Sequence, residues 1–230
     1  MKYIVRILIL MSIVSYVFAQ NTEDSTQPLW LIANHSLARE SSLRAIQELM
    51  STGYVVTGLD YNRAFDELEI FYLRNPNEFI PRWTLYEFDD ADTLEEEFSA
   101  LLQEGYRPVD IAVGPQGLIG FFLEDSDTPL GWRIQRSTDF KTIERYTEIY
   151  SRIGYSLHGL SRNHKGEYWA LFARYKTVAH EASFEVIQED QIGDAIVENI
   201  ASFANIGPMV SQGSRFLFSF IIKSIQTESQ

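Results

Sequence analysis

Hydrophobic and polar positions along the chain repeat one outline at a spacing of about 50 residues. The clearest copy, from Trp83 to Leu123, contains a tryptophan-led strand, an amphipathic run, a Gly-Tyr pair and a tight turn between two apolar runs. Periods of this size are typical of one supersecondary unit stacked several times, because each copy is too small to bury its own apolar face. The Gly-Tyr anchors are Gly53-Tyr54, Gly105-Tyr106, Gly154-Tyr155 and, in degenerate form, Gly207-Pro208. The aromatic strands that lead the units begin at Trp30, Trp83, Trp132 and Phe184.

Each copy predicts the elements strand, helix, strand, strand. Apolar residues three and four apart, such as Leu94, Phe98 and Leu101, form one stripe of a helix. The glycine of each anchor predicts the helix end, because glycine adopts the left-handed conformation there at little steric cost. The two runs that follow are joined by a short turn, at 114–117 in the second copy, and this favours an antiparallel hairpin.

The predicted fold class is α+β, with four tandem strand-helix-strand-strand repeats forming antiparallel meanders and the helices on one face. The meander follows from the short loop between each hairpin and the next aromatic strand. The array ends with an apolar strand at Phe216–Ile222, and an unpaired edge of that kind favours aggregation. We therefore expect Trp30–Asn34 to pair with the last hairpin and close a propeller-like ring. An open arc, with the last strand covered in another way, is the alternative.

Polarity divides the chain into a leader, a domain and a tail. Residues 1–19 combine a basic start, an apolar run and small residues up to Ala19, which predicts a cleaved secretory signal peptide. Residues 20–27 are a polar, flexible lead-in, residues 28–223 form a single four-repeat domain, and residues 224–230 form a frayed tail. The units span about 28–75, 81–125, 130–175 and 182–223. The chain has no cysteine, so this exported domain is held by core packing without disulfides.

The acidic charge of the chain narrows its partners. The formal charge is −13, and removal of Lys2 and Arg6 with the signal peptide makes it −15. A field of that sign repels nucleic acid over a Debye length of about 8 Å. We expect a periplasmic or secreted monomer with no nucleic-acid partner and no stable membrane anchor after signal cleavage. Its ligand, a protein or a component of the cell envelope, is not identified by the sequence.

Patterns for catalysis and metal binding are weak. None of the four histidines forms an H-E-x-x-H pair, and no serine lies in a G-x-S-x-G elbow. The acidic stretch from Glu87 to Glu97 lacks the glycine of a calcium loop. We therefore predict no catalytic, cofactor-binding or metal-binding residue, no cofactor, and no enzymatic activity. The alternative is a hydrolase that uses His158 or His164 with nearby carboxylates, and it requires these histidines to converge in one pocket with Asp60, Asp66 or Asp110.

Residues that depart from the repeat are candidates for ligand binding, because the fold does not demand them. His158 stands where the other units have Thr57, Val109 and Ser211. Trp169 stands where the other units have Glu69, Ile119 and Leu217. The repeated tyrosines Tyr54, Tyr106 and Tyr155 are weaker candidates, because equivalent positions in a repeat usually serve the repeat itself. We expect the repeated tyrosines and tryptophans to wedge between sheet and helix.

The second unit resembles a known family at Trp83, at Gly105-Tyr106-Arg107-Pro108-Val109-Asp110-Ile111, at Gly117 and at Phe121. These residues are similar to the bacterial tandem-repeat domain that is found beside the catalytic domain of polyglycine hydrolases and in other secreted proteins. The resemblance covers about residues 28–223 and is specific in the second unit. It implies an extracytoplasmic, non-catalytic accessory or recognition module, and it carries over no catalytic residue. The predicted function is therefore an exported, non-catalytic binding or scaffold module.

Overall fold

The structure is a computed structural model that describes residues 29–37, 40–74, 81–88, 93–176, 180–200, 205–212 and 215–222. The predicted signal peptide, lead-in and tail lie outside these residues. No helix in the described ranges has the length and apolar character needed to cross a membrane.

The described residues fold into four units, each in the order strand, helix, strand, strand, and the α+β class is as predicted. The first two units consist of β1 (Trp30–Ser36), α1 (Glu40–Ser51), β2 (Tyr54–Asn62), β3 (Glu67–Arg74), β4 (Trp83–Phe88), α2 (Leu94–Gln103), β5 (Tyr106–Val113) and β6 (Leu118–Glu124). The last two consist of β7 (Gly131–Ser137), α3 (Phe140–Arg152), β8 (Tyr155–Arg162), β9 (Tyr168–Arg174), β10 (Glu181–Gln188), α4 (Ile192–Ile200), β11 (Asn205–Gln212) and β12 (Arg215–Ile222). A 3₁₀ turn at Glu189–Gln191 precedes α4.

Glycine ends the first three helices, as the sequence predicts. Gly53, Gly105 and Gly154 adopt φ values of 93°, 93° and 90°, which L side chains rarely adopt. The prediction for the fourth unit is wrong, because Gly207 and Pro208 lie inside β11. They fall at an irregularity in the pairing of β11 with β12, between Ile206 and Met209.

Each unit forms its own three-stranded antiparallel sheet, and the predicted meander is wrong. The strand orders are β1-β3-β2, β4-β6-β5, β7-β9-β8 and β10-β12-β11. The leading strand therefore pairs with the last strand of its own unit, and the loop that follows carries the chain to the next sheet. The two outer strands of each sheet run parallel to each other, and a helical crossover is the connection that suits parallel strands.

The expected pairing of the first strand with the last hairpin is also wrong. β1 pairs with β3 from Trp30↔Leu73 to Ser36↔Glu67. β12 is the central strand of the fourth sheet, bonded to β10 on one side and to β11 on the other. The apolar strand at the end of the array is therefore not an unpaired edge.

The second strand of each unit, here called the inner strand (β2, β5, β8 or β11), carries a β-bulge that fixes which positions are equivalent. The register shifts at Thr57, Val109 and His158, and at 207–208 in the fourth unit. Two sequence alignments of the fourth unit are therefore wrong. Ser211 pairs with Phe216 in the ladder, just as Asp60 pairs with Glu69 and Ser161 pairs with Trp169. Ser211 is therefore equivalent to Asp60 and Ser161, and Phe216 is equivalent to Trp169.

The apolar cores lie between successive units, which explains why one unit cannot bury its own face. One core cluster joins units one and two, another joins two and three, and another joins three and four. A further cluster combines residues of the fourth unit with Trp30, Ile32 and Phe71 of the first unit. Two repeated tryptophans contact the helix of the preceding unit. Trp83 Nε1 donates to Gln47 on α1 at 2.6 Å, and the Trp132 ring centroid lies 4.4 Å from that of Phe98 on α2.

Candidate functional site

The four inner strands lie against one another in the middle of the described structure. β2 contacts β5, β5 contacts β8, β8 contacts β11, and β11 contacts β2. Two glycines permit this close approach. A Cβ atom at Gly58 would lie 3.0 Å from Cβ of Met209, and a Cβ atom at Gly159 would lie 2.7 Å from Cγ1 of Ile111.

A buried carboxyl group, Asp110, stands at the position where the first and third units have glycine, and it bonds three strands together. Its Oδ2 accepts from the Leu59 N–H of β2 at 2.7 Å. Its Oδ1 accepts from the Leu160 N–H of β8 at 3.0 Å and from the adjacent Ile111 N–H at 2.7 Å. Leu59, Ile111 and Leu160 are each 0% exposed, as Asp110 is, so water does not reach these three N–H groups. The side chain therefore satisfies backbone groups that no strand ladder reaches.

A second buried carboxyl group, Asp60, continues the polar network to the fourth unit. Its Oδ2 accepts from the Ser211 N–H of β11 at 2.6 Å, and its Oδ1 accepts from the Ser161 hydroxyl at 3.2 Å. Ser161 Oγ in turn accepts from the Val113 N–H of β5 at 2.9 Å. We call Asp60, Asp110, Ser161 and the amides that they bind the central hub. It connects all four units.

Burial shifts the pKa values of both hub carboxyls upward. Loss of hydration raises the pKa of Asp60 from 3.8 to about 8, against the opposing hydrogen bond from Ser211, and the nearby Glu69 carboxylate adds to the rise. Loss of hydration also raises the pKa of Asp110 well above its usual range, although three backbone N–H groups oppose the shift. Like-charge repulsion from Asp60 adds to the rise in the pKa of Asp110.

A cleft of about 530 Å³ opens between the first and fourth units, and Asp60 lies on its floor. Its walls come from the sheet and hairpin turn of the first unit and from β11, β12 and the 3₁₀ turn of the fourth. We call it the first–fourth cleft. Besides Asp60, its polar and aromatic lining residues are Asn34, Tyr61, Asn62, Arg63, Phe65, Glu69, Glu189, Ser211 and Phe216.

Three polar residues of the first–fourth cleft lie on one rung of the first sheet. Asn34 of β1 is opposite Glu69 of β3, and Glu69 is opposite Asp60 of β2, so their side chains point to the same face. The centre of this rung is apolar or aromatic in the other units: Ile119, Trp169 and Phe216. The first unit alone has a carboxylate at this central position.

Two oxygen atoms of this rung have no hydrogen-bond partner among the described residues. They are Oε2 of Glu69 and Oδ1 of Asn34, and both are shielded from solvent. Glu69 is only 8% exposed, and its other oxygen accepts from Asn62 Nδ2 at 2.7 Å. Both oxygens of Asp60 are occupied by hub bonds. The cleft therefore offers a ligand two acceptors, Glu69 and Asn34, and the hub holds their neighbour in place.

The histidines and carboxylates of the hydrolase alternative do not meet in one pocket. His158 lies at the bulge of β8 beside Tyr175, with ring centroids 5.1 Å apart, and it hydrogen-bonds to the backbone of Pro108. Burial lowers the pKa of His158 to about 4, and the Arg107 charge adds to this shift. His164 is exposed on the turn before β9, and Asp66 accepts from the Tyr61 hydroxyl on a different turn.

The other predicted ligand-binding residues are spread over the sheets. Tyr54 and Tyr155 are buried at 3% and 8% exposure, and Tyr106 packs against the core between units two and three. Trp169 is half-buried, its indole N–H donates to Glu167 at 3.0 Å, and the Arg136 guanidinium lies 4.7 Å from its ring.

Sequence reasoning did not select the rung of the first–fourth cleft as a site. The usable signal was present, because Glu69 departs from the apolar residues at the same position in the other units. Only the register of the ladders shows that Asn34 and Asp60 lie beside Glu69 on the same rung. No three His, Asp or Glu residues in the described ranges are placed to hold a metal ion.

Comparisons with known proteins add no assignment. No family model matches the chain, and no curated protein matches it. The site is therefore interpreted from its own geometry.

Proposed function

We propose that the chain is an exported, non-catalytic binding module and that the first–fourth cleft is its ligand site. The observation that carries this proposal is Glu69, a buried carboxylate with one unpaired oxygen at a position where the fold elsewhere uses isoleucine, tryptophan and phenylalanine. An unpaired buried acceptor costs about 1–3 kcal/mol of stability. Residues that lower stability in this way are expected where function requires them.

Export and an accessory role are part of the same proposal. The basic and apolar leader at 1–19 supports export through a cleaved signal peptide. The resemblance of the second unit to the tandem-repeat domain of secreted proteins supports a recognition role beside other domains or proteins.

The four sheets are, in this proposal, arranged as a closed propeller-like ring. The contact of β11 with β2 supports closure, since it repeats the contact between every other pair of neighbouring inner strands. The core cluster shared by Trp30 and the fourth unit supports it from the outer side. Closure through side-chain packing and the hub takes the place of the strand pairing that the sequence suggested.

A designed disulfide should form across the closing contact. We expect the double variant Gly58→Cys with Met209→Cys to form an internal disulfide on oxidation, because the two Cβ positions lie 3.0 Å apart and a shift of under about 1 Å gives the usual spacing. The chain has no other cysteine, so loss of maleimide labelling after denaturation without reductant reports this bond alone. A control pair that joins Gly58 to exposed Ile149 on α3 should stay reduced. If the double variant is oxidised while folded and still shows two reactive thiols after denaturation, the open arc is supported.

Replacing Glu69 with isoleucine should abolish ligand binding without loss of stability. The second unit has Ile119 at this position, so the change removes a buried carboxylate with one unpaired oxygen and keeps the fold. In a thermal-shift panel of amino acids, polyamines, sugars and carboxylates, at least one compound should raise the Tm of the wild type and leave that of Glu69→Ile unchanged. The Tm of the unliganded variant should equal or exceed that of the wild type. Equal ligand-induced shifts in both proteins would show that the first–fourth cleft is not the binding site.

A further inference from the structure

We infer that the first–fourth cleft takes a protonated amine: an alkylammonium or guanidinium group whose N–H donors bind the unpaired oxygens of Asn34 and Glu69. This inference rests on the proposed function, because it names the ligand class of the same cleft.

The two unpaired oxygens of the Asn34–Glu69–Asp60 rung favour a ligand that donates hydrogen bonds. Oε2 of Glu69 and Oδ1 of Asn34 are both acceptors, and their residues face each other across β1 and β3. Asn62 Nδ2 donates to the other oxygen of Glu69 at 2.7 Å, which fixes the plane of the carboxylate. A ligand that carries two or more N–H groups on one centre satisfies both acceptors at once, as ammonium and guanidinium groups do.

The charges around the first–fourth cleft favour a cation over a neutral donor such as a sugar hydroxyl. Glu189 lies on the opposite wall, from the fourth unit, so carboxylates approach the space from both sides. Arg63 is the one basic side chain among the described lining residues, and it is exposed. The formal charge of −13 on the whole chain attracts cations at longer range.

The mouth of the first–fourth cleft suits the aliphatic part of an amine. Phe65 lies on the β2–β3 turn with 71% of its surface exposed, and Tyr61 lines the same side. An aromatic face beside an acceptor site holds a cation or its methylene stem by cation–π and apolar contact. The volume of about 530 Å³ is in the range of sites for small molecules and single side chains.

Isothermal titration of the mature chain tests the inference with three probes: spermidine for alkylammonium groups, L-arginine for guanidinium and D-glucose as a neutral hydroxyl donor. We expect spermidine or arginine to bind and glucose not to bind. The isosteric Glu69→Gln variant should raise the Kd of the bound amine at least about tenfold, since it removes the charge and keeps the shape. Glu48→Gln removes the same charge from the exposed face of α1 and should leave the Kd unchanged. Asn34→Ala should also weaken the amine, which provides a second variant if Glu69→Gln lowers stability.

The outcomes separate the ligand class from the binding function. Amine binding that Glu69→Gln weakens and Glu48→Gln does not would support both. Glucose binding that is lost in Glu69→Ile would overturn the amine assignment and leave the cleft as a binding site. Amine binding that all variants retain would overturn the inference, because the amine would then bind elsewhere. Absence of binding by all three probes would overturn the amine assignment, while the wider thermal-shift panel still decides whether the cleft binds another ligand.

Discussion

Replacement of Asp110 with alanine should lower the free energy of unfolding by about 3–6 kcal/mol. The change leaves the N–H groups of Leu59, Ile111 and Leu160 without an acceptor in a region that water does not reach. Each such group costs about 1–3 kcal/mol, and the cavity left by the side chain adds to the loss. Because these donors belong to three units, we expect one cooperative loss of stability in urea denaturation, followed by circular dichroism.

Asparagine substitutions test whether the hydrogen bonds that Asp110 accepts, and not the size of its side chain, stabilise the fold. Asp110→Asn keeps one acceptor but places an NH₂ group against a backbone N–H, so it should also destabilise strongly. Asp66→Asn is the matched control. Asp66 is exposed and has a φ of 55°, which asparagine tolerates well, so its replacement should change stability by less than about 0.5 kcal/mol. If Asp110→Asn were as mild as Asp66→Asn, the hub would not be the structure that holds the units together.

Much of each unit could be predicted from the sequence, because its signals lie within 10 to 20 residues of one another. The turn predicted at 114–117 joins the two antiparallel strands β5 (Tyr106–Val113) and β6 (Leu118–Glu124). Strand order could not be obtained in this way, since pairing depends on which edges a helix crossover brings together. In the fourth unit the repeat is degenerate, and Gly207 marks a bulge in β11 and not the end of a helix.

The site was harder to predict than the units. Departure from the repeat selected His158 and Trp169, and the same rule applies to Glu69, which the alignment used only as a reference for Trp169. The decisive fact is that Asn34, Glu69 and Asp60 share a rung, and this depends on a ladder register that passes a bulge at Thr57. Asp110 illustrates the same limit. One aspartate in an apolar strand gives no sign of the three amides that it binds.

The pH dependence of stability should report the hub directly. Asp60 binds its proton more tightly in the folded chain, where its pKa is about 8, than in the unfolded chain, where it is near 3.8. Unfolding between these values releases a proton, so stability falls as pH rises. His35 and His158 act in the opposite direction, because loss of hydration lowers each pKa from 6.5 to about 4 and unfolding takes up protons in that interval. The two effects oppose each other below pH 6.5, and the carboxyl effect remains alone between pH 6.5 and about 8.

We therefore expect the free energy of unfolding to fall by about 2 kcal/mol between pH 6.5 and 8 from Asp60, with Asp110 acting in the same direction. Asp60→Asn should reduce this fall. Its carbonyl can accept from the Ser211 N–H and its NH₂ can donate to Ser161 Oγ, so the variant mimics the protonated acid and does not titrate. Urea titrations at half-unit pH steps measure the effect, and Asp66→Asn serves as a control that should retain the wild-type slope. A wild-type slope in Asp60→Asn would show that this carboxyl is ionised in the folded chain at neutral pH, and the hub would then hold a paired charge instead of a neutral acid.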